Sequence, residues 1–145
     1  MHATKLRTPT IDDAGGVAAL SAELGYDVST ELVAARITSL QKRSDHYVMV
    51  AELDRALVGW IQVHTYESIE SGFRAEIVGL VVGSNFRRIG IGKMLVEDAI
   101  RWSKECSADV LVVRSNVIRE ESHQFYPSVG FEQTKTQAVY RMRLR

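Results

Sequence analysis

Arg87-Arg88-Ile89-Gly90-Ile91-Gly92-Lys93 places two glycines one residue apart among three cations. The run follows an apolar stretch, residues 77–82, and opens a segment of helical periodicity, so it joins a strand to a helix. A phosphate suits such a junction. Glycines let backbone N–H groups turn toward an anion with no Cβ in the way, and the first turn of a helix adds unpaired donors and partial positive charge. Spacing then separates this loop from other phosphate loops. A dinucleotide fingerprint, G-x-G-x-x-G, needs glycine where Leu95 stands, and a nucleoside-triphosphate loop, G-x-x-x-x-G-K-[ST], needs glycine at Arg87 and a hydroxyl at Met94. What remains is R-x-x-G-x-G.

A second chemical run lies further on: Ser122-His123-Gln124-Phe125-Tyr126-Pro127-Ser128-Val129-Gly130-Phe131, with Phe-Tyr on a short helix and Gly-Phe four residues after the tyrosine. Together, in this order and separated by one helix and one strand, the two runs resemble the signatures of the Gcn5-related N-acetyltransferases. The resemblance covers most of the chain from Lys5 onward and is specific over residues 76–131.

That resemblance implies acetyl-coenzyme A as cosubstrate, no metal, and acetyl transfer from the thioester to a primary amine by direct attack. The alternative it leaves is a non-catalytic acyl-CoA-binding sensor or interaction module with the same fold. By the same resemblance Arg87, Arg88, Ile89, Gly90, Ile91, Gly92 and Lys93 would hold the pyrophosphate. Leu80, Val81 and Val82 would offer backbone groups to the pantetheine arm, and an N–H near Leu80 would face the oxyanion. Tyr126 matches the tyrosine that protonates the departing sulfur. Glu76, eleven residues before Arg87, is where the histone-acetylating branch carries its base; an ordered water or Glu67 are alternatives, and a pair with Arg74 would give Glu76 a structural role. The branch that acetylates ribosomal N-termini has a glutamate where Arg114 stands. Arg119 replaces a common asparagine and would either reach a phosphate or be plain solvated surface, Asn116 would take over the arm contact, and Pro127 replaces a charged or polar residue. The acceptor, a small-molecule or peptide amine, would lie near Leu24-Gly25-Tyr26, the segment from Trp60 to His64 and the tail hairpin.

Composition sets the outer bounds. The 145 residues suit one domain spanning 1–145, and 18 basic against 18 acidic side chains leave no global field to attract nucleic acid or an anionic membrane. Met1-His2-Ala3-Thr4-Lys5 leads into no long apolar stretch, and no run approaches a membrane span, so a cytoplasmic location is expected. Cys106, the single cysteine, forms no internal disulfide and falls on the apolar stripe of a helix near its C-terminal end, where packing is its expected role. His2, His46, His64 and His123 show no metal-ligand spacing. A homodimer is compatible with all of this.

These residues must be positioned by an α/β (α+β) fold. Lys5 to Arg7 reads as a strand; Thr10 with Asp12 and Asp13 caps a helix running to Leu24 and stopped by Gly25. Ser29 caps a second helix ending near Gln41, with Leu32, Ala35 or Arg36, and Leu40 on one face. Strands follow over residues 46–53 and 57–67 around an Asp54-Arg55 turn, then over 73–82. Ile91, Leu95, Ala99, Trp102 and Cys106 mark one face of a long helix, and residues 110–113 form a buried strand beside the previous one. A short helix over 120–126, with Pro127 biasing Tyr126 out of it, precedes a closing hairpin of residues 132–134 and 139–144. The family resemblance casts this order as a mixed, mostly antiparallel central sheet of about seven strands, splayed between its two central strands and flanked by four helices.

Overall fold

A computed structural model describes residues 3–115 and 119–145. They form two compact units, one ending at Arg114 and the other starting at Ser115.

The first unit is a five-stranded sheet with three helices: β1 (Lys5–Arg7), α1 (Ala14–Ala22), α2 (Thr30–Gln41), β2 (His46–Leu53), β3 (Ala56–Ser68), β4 (Gly72–Val82), α3 (Ile91–Glu105) and β5 (Leu111–Val113). The strands lie in chain order, the first three pairings antiparallel and β4–β5 parallel. Local chemistry sets the boundaries. Thr10 and Asp13 close a reciprocal capping box ahead of α1, Gly25 stops the chain after α1 at φ 88°, and the Ser29 hydroxyl accepts the Leu32 N–H at 3.1 Å to start α2. Asp54 and Arg55 both adopt positive φ, as a two-residue hairpin turn whose twist matches its strands requires.

Two apolar layers sandwich the sheet. Val17, Val33, Ile37 and Val50 cluster between the sheet and the α1–α2 pair. On the other face Ile91, Leu95, Val96 and Ala99 of α3 are buried, as are Ile61 and Val63 of β3. Leu95 is fully buried, so its truncation to alanine would forfeit about 2–5 kcal/mol. The buried stripe of α2 is Val33 and Ile37, whereas Leu32, Ala35 and Arg36 are exposed. Both stripes have helical spacing. The β-branched pair at i, i+4 wins because it faces Val50 across the layer.

The second unit contains α4 (Glu120–Ser128) followed by chain with no regular structure. Five strands, not seven, are present among the described residues, because the closing hairpin of residues 132–134 and 139–144 is absent. Its connection, Thr134 to Ala138, offers no Gly, Pro, Asn or Asp to make a tight turn, and an isolated two-stranded hairpin is marginal in water. Helix α4 runs two residues past Tyr126, with Pro127 inside it. Tyr126 therefore keeps helical company, contrary to the bias expected from the following proline.

Candidate active site

The glycine loop meets the geometry that its sequence demands. Arg88 and Gly90 both take positive φ, 67° and 90°, and Gly90 caps α3 without any side-chain bond to the helix. The first intrahelical bond is Met94 N–H to Gly90 C=O at 3.0 Å, so the preceding N–H groups of the helix have no acceptor within it. Nothing lies within 4 Å of where a Gly90 Cβ would be. These open donors, the helix dipole and the flanking side chains of Arg87, Arg88 and Lys93 are the chemistry that an anion cradle requires. Arg87 bends back to donate to Val82 C=O at 3.4 Å, and Lys93 pairs loosely with Glu97 at 3.8 Å. Ile89 is exposed and Ile91 is 1% exposed, so the latter anchors the cradle to the core. A missing side chain seats the helix there: a Cβ on Gly59 would lie 3.0 Å from Val81 O, 3.3 Å from Leu95 and 3.4 Å from Ile91.

Beside the cradle runs the end of β4. Gln62 pairs with Gly79 but Val63 pairs with Ile77, which makes Val78 an extra residue, a β-bulge. Strand β5 pairs with β4 only at Ala75, Glu76 and Ile77. Among the described residues, no strand of the sheet therefore flanks Leu80, Val81 and Val82 on that side, and backbone groups there are left for another partner. Val81 is buried and the other two are partly so. The Trp60 indole lies across Gly79, where a Cβ would come within 2.5 Å of Cη2. Trp60 also packs against the α1–α2 core, so it is a wall of the sheet face.

Glu76 sits on that same face. Its carboxylate accepts the Tyr66 hydroxyl at 3.3 Å through Oε1 and meets Arg114 Nε at 3.3 Å through Oε2. The alternative partner, Arg74, stands opposite Tyr66 with its buried Nε lacking a hydrogen-bond partner. Glu67 is exposed and adjoins Tyr66 in the strand, so the alternation of side chains turns it to the other face. The Tyr66 ring stacks on His64 at 5.2 Å, and His64 stacks on His46 at 5.2 Å. Gln62 Nε2 lies 3.3 Å from His46 Nδ1. Burial holds the His46 imidazole below its ordinary range, which favours its neutral form. Of this polar strip, sequence reading singles out Glu76 and the segment from Trp60 to His64, but neither Tyr66 nor the approach of His46 to them. Only the β2–β3 register, His46 against His64, brings the two histidines together.

In the second unit Tyr126 packs edge-on against Phe125 and Phe131, at 5.2 and 5.7 Å between ring centroids. Burial pushes its hydroxyl pKa up while the Arg119 charge pulls the other way. Arg119 caps α4 through its carbonyl, which accepts the Ser122 N–H at 3.1 Å. Asn116 lies outside the described residues. Cys106 closes α3, half-buried, and burial raises its thiol pKa, which disfavours a thiolate. Among the described residues no group of three His, Cys, Asp or Glu side chains is placed to hold a metal, and no helix is long and apolar enough to cross a membrane.

The sequence model of the acetyltransferase (GNAT) family matches residues 17–131, and the chain belongs to that family. An uncharacterised N-acetyltransferase of Methanocaldococcus jannaschii is 29% identical over 96 residues, a match spanning 65% of this chain and 42% of that protein. Among solved structures, an aminoglycoside N-acetyltransferase in complex with CoA superposes with a TM-score of 0.87 at 16% identity, covering 99% of this chain and 97% of its own. A glucosamine-6-phosphate N-acetyltransferase from Arabidopsis thaliana does so with a TM-score of 0.83 at 22% identity, over 97% and 99% of the two chains. At these identities the likeness speaks for the fold.

Proposed function

We propose that the chain transfers an acetyl group from acetyl-coenzyme A to a primary amine by direct attack. The observation that carries this reading is the open α3 N-terminus lying beside the unflanked end of β4. A cradle for an anion next to a strand edge with free peptide groups suits a pyrophosphate followed by an amide-bearing arm. Family membership and a structural neighbour determined with CoA support it. Arg87, Arg88, Ile89, Gly90, Ile91, Gly92 and Lys93 bind the pyrophosphate, with Arg119 and Asn116 as further contacts. Leu80, Val81 and Val82 pair with the arm.

In the reaction the ammonium of the acceptor gives one proton to the Glu76 carboxylate, which passes it to solvent. The freed lone pair forms the C–N bond at the thioester carbonyl, and a backbone N–H near Leu80 stabilises the oxyanion, an interaction worth about 3–4 kcal/mol in other acyl transfers. Collapse breaks the C–S bond, Tyr126 protonates the sulfur, and the second nitrogen proton returns to Tyr126 through solvent.

Gly92→Val tests the anchor. Gly92 lies in the first turn of α3 and is not among the residues with positive φ, so a side chain is compatible with its backbone. Calorimetry should show acetyl-coenzyme A bound about tenfold or more weakly, about 1.4 kcal/mol, by a folded variant. Unchanged affinity would place the pyrophosphate elsewhere. Release of free thiol with a panel of amines then separates an enzyme from a non-catalytic acyl-CoA sensor, which would bind and never turn over.

The chain also associates as a homodimer in this reading. Tyr140, Met142 and Leu144 alternate with Arg141, Arg143 and Arg145, the pattern of a half-buried strand, yet Tyr140 is 92% exposed and Met142 81%. A second copy is the partner that would cover it. Removing residues 139–145 should convert a dimer to a monomer in sedimentation equilibrium; a full-length chain that sediments as a monomer removes this part of the reading.

A further inference from the structure

The polar strip on the Trp60 face of the sheet carries more positive charge than its single carboxylate needs. Arg74 and Glu76 lie two residues apart on one face of β4, and Arg114 follows β5 at the same level. Facing them from β2 and β3 are His46, His64, Gln62 and Tyr66, of which burial favours the neutral form of His46. Glu76 is sheltered, with its side chain 14% exposed, whereas Arg114 is 51% exposed. Their contact through Nε at 3.3 Å is loose by this protein's own standard. Arg7 grips Asp13 with two bonds of 2.8 and 2.9 Å, and Arg101 holds Glu105 at 2.8 Å.

We infer that Arg114 holds the acceptor ammonium's place on Glu76 and that the acceptor is a primary amine carrying its own carboxylate or phosphate, which pairs with Arg114 once the ammonium has displaced it. The charge count decides the class. Counted over its arginines and its carboxylate, the strip bears one net positive charge, from Arg74 and Arg114 against Glu76. A diamine would raise that to three on a partly buried face, an unfavourable step where the effective dielectric is low. A zwitterionic amine leaves it at one, and an aminophosphate brings it near zero. Only such an acceptor replaces one ion pair with two, since a guanidinium fork fits a carboxylate or phosphate equally well. The buried Nε of Arg74, without a hydrogen-bond partner, is a further donor awaiting an anion.

This inference rests on the reading of Glu76 as the group that meets the ammonium. It is tested with four acceptors and acetyl-coenzyme A: 4-aminobutyrate and O-phosphoethanolamine against ethanolamine and putrescine. The better anionic amine should exceed both others in kcat/KM by at least tenfold, and the better of the two tells carboxylate from phosphate. In Arg114→Gln that ratio should fall below threefold, chiefly through the KM of the anionic acceptor. Preference for putrescine, turnover of ethanolamine or putrescine without either anionic amine, or a ratio that survives Arg114→Gln would overturn the inference alone. Loss of the ratio in Arg114→Gln while the acid limb of the pH profile persists in Glu76→Gln would keep the substrate class and remove Glu76 as base. No turnover of any of the four would overturn the inference and weigh against the acetyl-transfer reading as well.

Discussion

Tyr126→Phe is expected to lower kcat by about 10² to 10⁴, the usual scale for loss of a general acid, with acetyl-coenzyme A affinity nearly unchanged. The ring makes edge contacts with Phe125 and Phe131, and its backbone carbonyl accepts the Phe131 N–H at 3.0 Å. Phenylalanine preserves all of these, so the variant isolates the hydroxyl. Burial keeps that hydroxyl protonated well past neutral pH, the state in which an acid must enter the reaction. Single-turnover rates beside calorimetric affinity decide the matter. A loss under threefold would leave Tyr126 as packing between two phenylalanines.

The second large effect is expected from Glu76→Gln, and pH reveals its origin. If Glu76 accepts the ammonium proton, the wild-type kcat/KM profile has an acid limb set by this carboxylate, and the variant loses it. The variant should be slower than wild type by about 10² or more near neutrality and should recover as rising pH deprotonates the amine in solution. Glutamine still accepts from Tyr66 but no longer attracts Arg114, so part of any loss is structural. An ion pair with a half-exposed arginine contributes only about 0–1 kcal/mol, far less than the loss of a base. A uniform loss at every pH, with the acid limb intact, would remove Glu76 from proton transfer and leave an ordered water as the base.

Much of the scaffold could be read from local chemistry because its signals are short-range. The Thr10 and Ser29 caps, the Asp54-Arg55 turn and the boundaries of β2 need only neighbours in sequence. The glycine loop was legible for the same reason, since its strand, turn and helix are contiguous. What escaped depends on pairing. His46 and His64 become neighbours through the hairpin register, and Arg114 reaches Glu76 through a parallel pairing that follows the whole of α3. The buried face of α2 was misread because two stripes satisfy the helical period and only the opposing layer chooses between them. The terminal hairpin was misread because its alternation is real while the partner that a strand needs is not in the sequence pattern.

The extra residue at Val78 divides the core from the opening beside it. On one side of it Glu76 stands across from His64, and on the other Gly79 stands across from Gln62, so both halves of β4 keep the facing they would have in a hairpin lacking Val78. The ladder would close without it, and neither core layer would notice. A residue that register does not require therefore bends the strand where β5 departs. Core and opening are thus separable by a single residue, because deleting Val78 would restore an uninterrupted hairpin while leaving every other residue of β4 on its present face.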